Sequence, residues 1–105
     1  MSATLDRAQL LLNERFILEF PREAAKELER LPEDEAAQTL APMSVPLIGS
    51  MAVYLLAESA AGILRALPDE RADALLAELP APYAVRVLAH FEADELAARL
   101  QRLDS

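Results

Sequence analysis

The chain has no cysteine, one histidine and two glycines, and only 10 of its 105 residues are basic against 18 acidic ones. Without cysteine there is no disulfide framework, no thiolate metal site and no cysteine nucleophile, which suits a reducing compartment. A single histidine, His90, leaves no His pair at zinc-ligand spacing. It falls near the end of an expected helix, where a capping or surface role outweighs catalysis. Gly49 and Gly62 belong to no glycine-rich loop, so a phosphate cradle is excluded, and no serine stands in a strained glycine-flanked turn. A formal net charge of -8 argues against nucleic acid and against anionic membrane surfaces. The most apolar window, Val45 to Ala57, is too short to span a bilayer and carries Pro46, Gly49 and Ser50. The stretch Met1 to Leu12, despite Leu10-Leu11-Leu12, lacks the basic start and small-residue cleavage site of a signal peptide.

What is present is a repeat. Leu31, Met43, Leu55, Leu67, Leu79, Phe91 and Leu103 stand twelve residues apart. Three positions before each stand Leu28, Leu40, Ala52, Leu64, Leu76, Leu88 and Leu100. Small residues recur six and seven positions before the first ladder, as at Ala24-Ala25, Ala36-Ala37 and Ala60-Ala61. Spacings of three and four place these groups on one helical face, and small side chains let neighbouring helices approach closely. Units this short cannot hold themselves together and must stack. With 53% apolar residues the chain has the means to do so.

Pro21, Pro32, Pro68 and Pro80 each follow the last rung of a unit, and acidic residues follow them, as in Glu33-Asp34-Glu35 and Asp69-Glu70. Both fit a helix start, where proline loses no hydrogen bond and a carboxylate meets the positive end of the dipole. The pattern predicts one all-α domain over residues 1–105, with an N-terminal helix in 1–19 and the repeat array in 20–103. Helices are expected near 4–19, 21–31, 33–41, 44–56, 57–67, 68–79, 80–90 and 92–103. Leu56 occupies a proline position, so residues 47–67 read equally as one long helix or as two. Phe91 is a core rung, while Tyr54, one position off a rung, is expected half exposed.

Carboxylates are the remaining candidates for a site, at Glu33-Asp34-Glu35, Asp69-Glu70, and Glu92, Asp94 and Glu95. Magnesium takes carboxylate and water oxygens, so one or two side chains on a surface suffice for part of a site. Helix capping explains the same residues without metal. No catalytic group is named, and an enzyme is not expected.

The repeat resembles the N-terminal cytosolic domain of MgtE-type magnesium transporters. The resemblance is carried by Leu-Pro-Glu-Asp-Glu-Ala-Ala at 31–37 and Ser-Ala-Ala-Gly-Ile-Leu at 59–64. It continues through Leu-Pro-Asp-Glu-Arg-Ala-Asp-Ala-Leu-Leu at 67–76, Leu-Pro-Ala-Pro-Tyr-Ala-Val-Arg-Val-Leu at 79–88 and Ala-Asp-Glu-Leu-Ala at 93–97. It implies a right-handed superhelix of about eight short helices, cytoplasmic and not inserted in the membrane. It also implies magnesium sensing, with the ion bound between this domain and a pair of CBS domains. Asp94 matches an interfacial acidic position of that family, with Glu92 and Glu95 beside it. Gly62 departs from the pattern, which usually has a glutamate there. The alternative is a free-standing helical-repeat adaptor, similar to the interaction modules of the flagellar rotor switch.

Overall fold

A computed structural model describes residues 13–103 of the chain. It contains eight α-helices: α1 (Glu14–Glu19), α2 (Pro21–Glu29), α3 (Glu33–Leu40), α4 (Val45–Ala52), α5 (Ala57–Ala66), α6 (Asp69–Glu78), α7 (Ala81–Leu88) and α8 (Ala93–Leu103). No strand occurs among the described residues, as the absence of alternating patterns predicts. Residues 4–12 of the expected first helix lie outside the described residues. Residues 47–67 resolve into two helices, α4 and α5, separated by a turn at 53–56.

From α2 onward, each helix packs chiefly on the next but one: α2 on α4, α3 on α5, α4 on α6, α5 on α7, and α6 on α8. The chain therefore zigzags between two columns of stacked helices, and α1 closes the start by packing on α2 and α4. Turns of a few residues enforce this, because each helix must reverse before the next begins.

The two ladders have a backbone origin as well as an apolar one. The N–H of Leu31 donates to the carbonyl of Leu28 at 3.1 Å, and the same bond joins Leu55 to Ala52, Leu79 to Leu76 and Phe91 to Leu88. A tight three-residue closure of this kind satisfies carbonyls that the ending helix leaves open. It also tucks the second rung under the first, so both side chains turn toward the core, Leu88 only in part. Leu28, Leu40 and Leu64 are fully buried, and Leu31, Leu55, Leu67, Leu79 and Phe91 are buried. Each such leucine contributes about 1.5–3 kcal/mol through removal from water. Ala24, Ala25, Ala36, Ala37, Ala60, Ala61 and Ala72 are buried at the helix crossings. Burial thins out along α7 and α8, where Val85 and Leu100 are exposed. Among the described residues no later helix stacks on them.

Proline enters the helices in a different position from the one the sequence suggests. Pro21 is the first residue of α2, but Pro32, Pro68 and Pro80 stand one step earlier, as extended N-caps with φ between -55° and -58°. Their carbonyls accept the first helical bond, from Ala36, Ala72 and Ala84 at 2.9 Å. Leu56 adopts the same geometry before α5, with φ -62° and ψ 141°, and its carbonyl accepts from Ala60. Unlike proline, Leu56 keeps an N–H, and the Glu29 carboxylate at the end of α2 accepts it at 2.7 Å. The same turn is also held by Tyr83 of α7, whose buried hydroxyl donates to the Leu55 carbonyl at 2.8 Å. Arg71 of α6 secures the α3–α4 turn by donating to the Met43 carbonyl.

Candidate functional site

The start of α8 gathers the acidic residues singled out from the sequence. The Glu92 carbonyl accepts the first helical bond from Leu96 at 2.9 Å. Three positions on, the Glu95 carboxylate folds back and accepts the Glu92 N–H at 3.1 Å. This is half of a capping box, in which a glutamate in the first turn satisfies the backbone donor that precedes the helix. The Asp94 carboxylate accepts the Glu95 N–H at 3.1 Å. Asp94 and Glu92 are exposed and Glu95 is half-buried. Both Asp94 and Glu95 lie in the first turn, where the helix dipole stabilises negative charge.

A cation already lies against this acidic turn. Arg65, near the end of α5, donates from Nε to the Glu95 carboxylate at 3.2 Å. Its terminal nitrogen donates to the His90 carbonyl, and its guanidinium lies 5.0 Å from the centre of the Phe91 ring. Arg99 of α8 approaches the same ring at 4.9 Å and pairs with Asp73 of α6 at 3.2 Å. Phe91 is thus both a core rung and the aromatic seat of two guanidiniums, an arrangement that stabilises each cation electrostatically. His90 itself is exposed in the turn after α7, and it is the backbone carbonyl that is engaged.

Of the other acidic residues, Asp69 lines one groove with Arg65, Glu95 and Arg99. Glu33, Asp34 and Glu35 occupy the first turn of α3, and Asp69 and Glu70 the first turn of α6. Glu33 has a distinct placement: its carboxylate lies over the bare backbone of Gly62 in α5, where a Cβ would overlap it. Glu33, Asp34, Gly62 and Arg65 share one open groove. At Gly49, by contrast, a Cβ would meet the Glu78 Cβ at an ordinary 3.5 Å, so packing does not demand a glycine there. No group of three His, Cys, Asp or Glu side chains is placed to hold a metal ion among the described residues. At α8 the exposed carboxylates of Glu92 and Asp94 fit a share of a magnesium site, with the remaining positions left for water or another surface.

Sequence reading singles out Asp94, Glu92 and Glu95 as candidates, but not Arg65, which is thirty residues from Glu95 in the chain. Glu29 and Tyr83 are equally silent in sequence. Leu56 does carry a signal: in a proline position it brings an N–H that requires an acceptor. Tyr54 is 44% exposed, as expected, with Arg22 5.1 Å from its ring centre. No helix among the described residues is long and apolar enough to cross a membrane.

A family model described as the MgtE intracellular N domain matches residues 19–105. No curated protein and no solved structure matches the chain.

Proposed function

The chain belongs to the MgtE intracellular N domain family, and from that premise we propose that it is a cytosolic, magnesium-sensing regulatory domain of an MgtE-type transporter. It docks on a pair of CBS domains through divalent cations held at the interface. The observation that carries this reading is the family match over 19–105, with Asp94 presented as an exposed carboxylate on the first turn of α8.

Asp94 is the leading ligand, and Glu92 and Glu95 make the surrounding potential negative. Alone, this turn offers one surface of a site. A hydrated magnesium ion between it and an acidic partner removes the repulsion that otherwise keeps two negative surfaces apart. The ion then favours the docked arrangement because it binds that arrangement better than the separated one. Depletion of magnesium restores the repulsion and releases the domain. Catalysis has no place in this reading.

The test is direct. The chain and the CBS pair of an MgtE-type transporter from the same genome are mixed and sedimented with and without millimolar magnesium. A complex that forms only with magnesium, and that Asp94→Ala weakens, supports the proposal. Magnesium-independent association, or association unaffected by Asp94→Ala, overturns it.

A further inference from the structure

Glu95 has the composition of a metal ligand but is already committed. One carboxylate oxygen accepts the Glu92 N–H at 3.1 Å, and the carboxylate also accepts Arg65 Nε, at 3.2 Å from one oxygen and 3.5 Å from the other. Arg65 is in turn fixed at two further points, the His90 carbonyl and the Phe91 ring. A divalent ion that recruited Glu95 would have to displace a charge-assisted hydrogen bond and loosen the clamp on the α7–α8 turn. The guanidinium also stands as a like charge beside any ion approaching this turn.

We infer that Arg65 withholds Glu95 from the cation and keeps the intrinsic cation affinity of the α8 start low. Tight binding then depends on carboxylates that a docked partner brings. This rests on the reading of Asp94 as a cation ligand and assigns Arg65 a positioning role beside it. Physically, a site that bound magnesium firmly on its own would be filled whether or not the partner was docked. An ion bound equally in both arrangements shifts neither. By removing one carboxylate and adding one positive charge, Arg65 keeps the free domain a poor ligand and so preserves the difference on which sensing depends.

The experiment titrates magnesium and manganese into the whole chain, following the backbone amides of residues 92–96 by NMR. Wild type is compared with Asp94→Asn, Glu95→Gln, Arg65→Gln and the Arg65→Gln/Glu95→Gln pair. Arg65→Gln should tighten cation binding about fivefold, the order expected from removing one nearby like charge at a protein surface. Adding Glu95→Gln should abolish that gain. In the wild-type background Glu95→Gln should cost clearly less affinity than Asp94→Asn, because it removes a nearby charge but no ligand. Unchanged or weaker binding in Arg65→Gln overturns the inference, as does a gain that survives Glu95→Gln. Should Arg65→Gln fail to fold, Glu95→Gln alone decides: a loss as large as that of Asp94→Asn makes Glu95 a ligand and refutes the role given to Arg65. Indifference of binding to Asp94→Asn refutes the underlying reading instead. A loss in Asp94→Asn with no gain in Arg65→Gln refutes only the present inference.

Discussion

The Glu29 carboxylate, at the end of α2, accepts the backbone N–H of Leu56 at 2.7 Å across 27 residues of chain. It takes up the one donor that distinguishes Leu56 from the prolines capping α3, α6 and α7. The bond explains how the array tolerates a missing proline at its middle turn, and it couples two residues that should not mutate independently.

Glu29→Ala should therefore destabilise the chain by about 1.5 kcal/mol, the lower end of the range for a charged acceptor because the turn is accessible to water. Leu56→Pro removes the donor at a φ that already suits proline, and should be nearly neutral. In the Leu56→Pro background, Glu29→Ala should cost little. Urea denaturation of the four species gives the coupling, and additive effects would contradict the account.

Gly62 lies inside α5 and is buried, yet the atoms that a Cβ would meet are the far end of Glu33, an exposed and flexible side chain. Glu33 can swing aside. Gly62→Ala should thus gain most of the helix-propensity difference, about 0.5–1 kcal/mol. Gly62→Glu places a second carboxylate beside Glu33 and should gain less at low salt, with the gap to Gly62→Ala narrowing as salt rises. Thermal melts at two ionic strengths test both statements.

Tyr83 joins α7 to the α4–α5 turn through its hydroxyl. Burial pushes its phenol up from 10.0 to about 12, opposed by the nearby Arg86 charge and assisted by Glu29. The folded protein therefore holds this proton more tightly than the unfolded chain does. The associated stability is complete below pH 10 and is lost as pH rises from about 10 to about 12. Tyr83→Phe should lower stability at neutral pH by about 1–2 kcal/mol and flatten that alkaline decline. Denaturation midpoints between pH 8 and pH 11 decide it.

Arg99 and Asp73 form a pair whose side chains are only 8% and 18% exposed, and Arg99 also rests on Phe91. Truncating Arg99 to Ala leaves a carboxylate in a poorly solvated place and should cost about 3 kcal/mol. Arg15→Ala breaks a pair that is 87% and 53% exposed, and should cost under about 0.5 kcal/mol. A similar loss for both in chemical denaturation would refute the distinction.

Much of this molecule is legible in sequence because its information is local. Residues three, four and twelve apart fix the helical face, the reversal of direction and the rungs of the core. The apolar periodicity that names Leu28, Leu31, Leu64 and Phe91 is the one that drives them out of water. Acidic helix starts are legible for the same reason, since a carboxylate in a first turn interacts with its own helix. The sequence by itself thus determined the all-helical stack, its unit length and the carboxylates offered at the start of α8. Tertiary structure alone decided what those carboxylates are free to do. It laid Arg65 on Glu95, Glu29 on Leu56 and Glu33 over Gly62, pairs some thirty residues apart. No helical period relates such residues. They meet because helices stack on the next but one, bringing side chains of two or more units into hydrogen-bonding range.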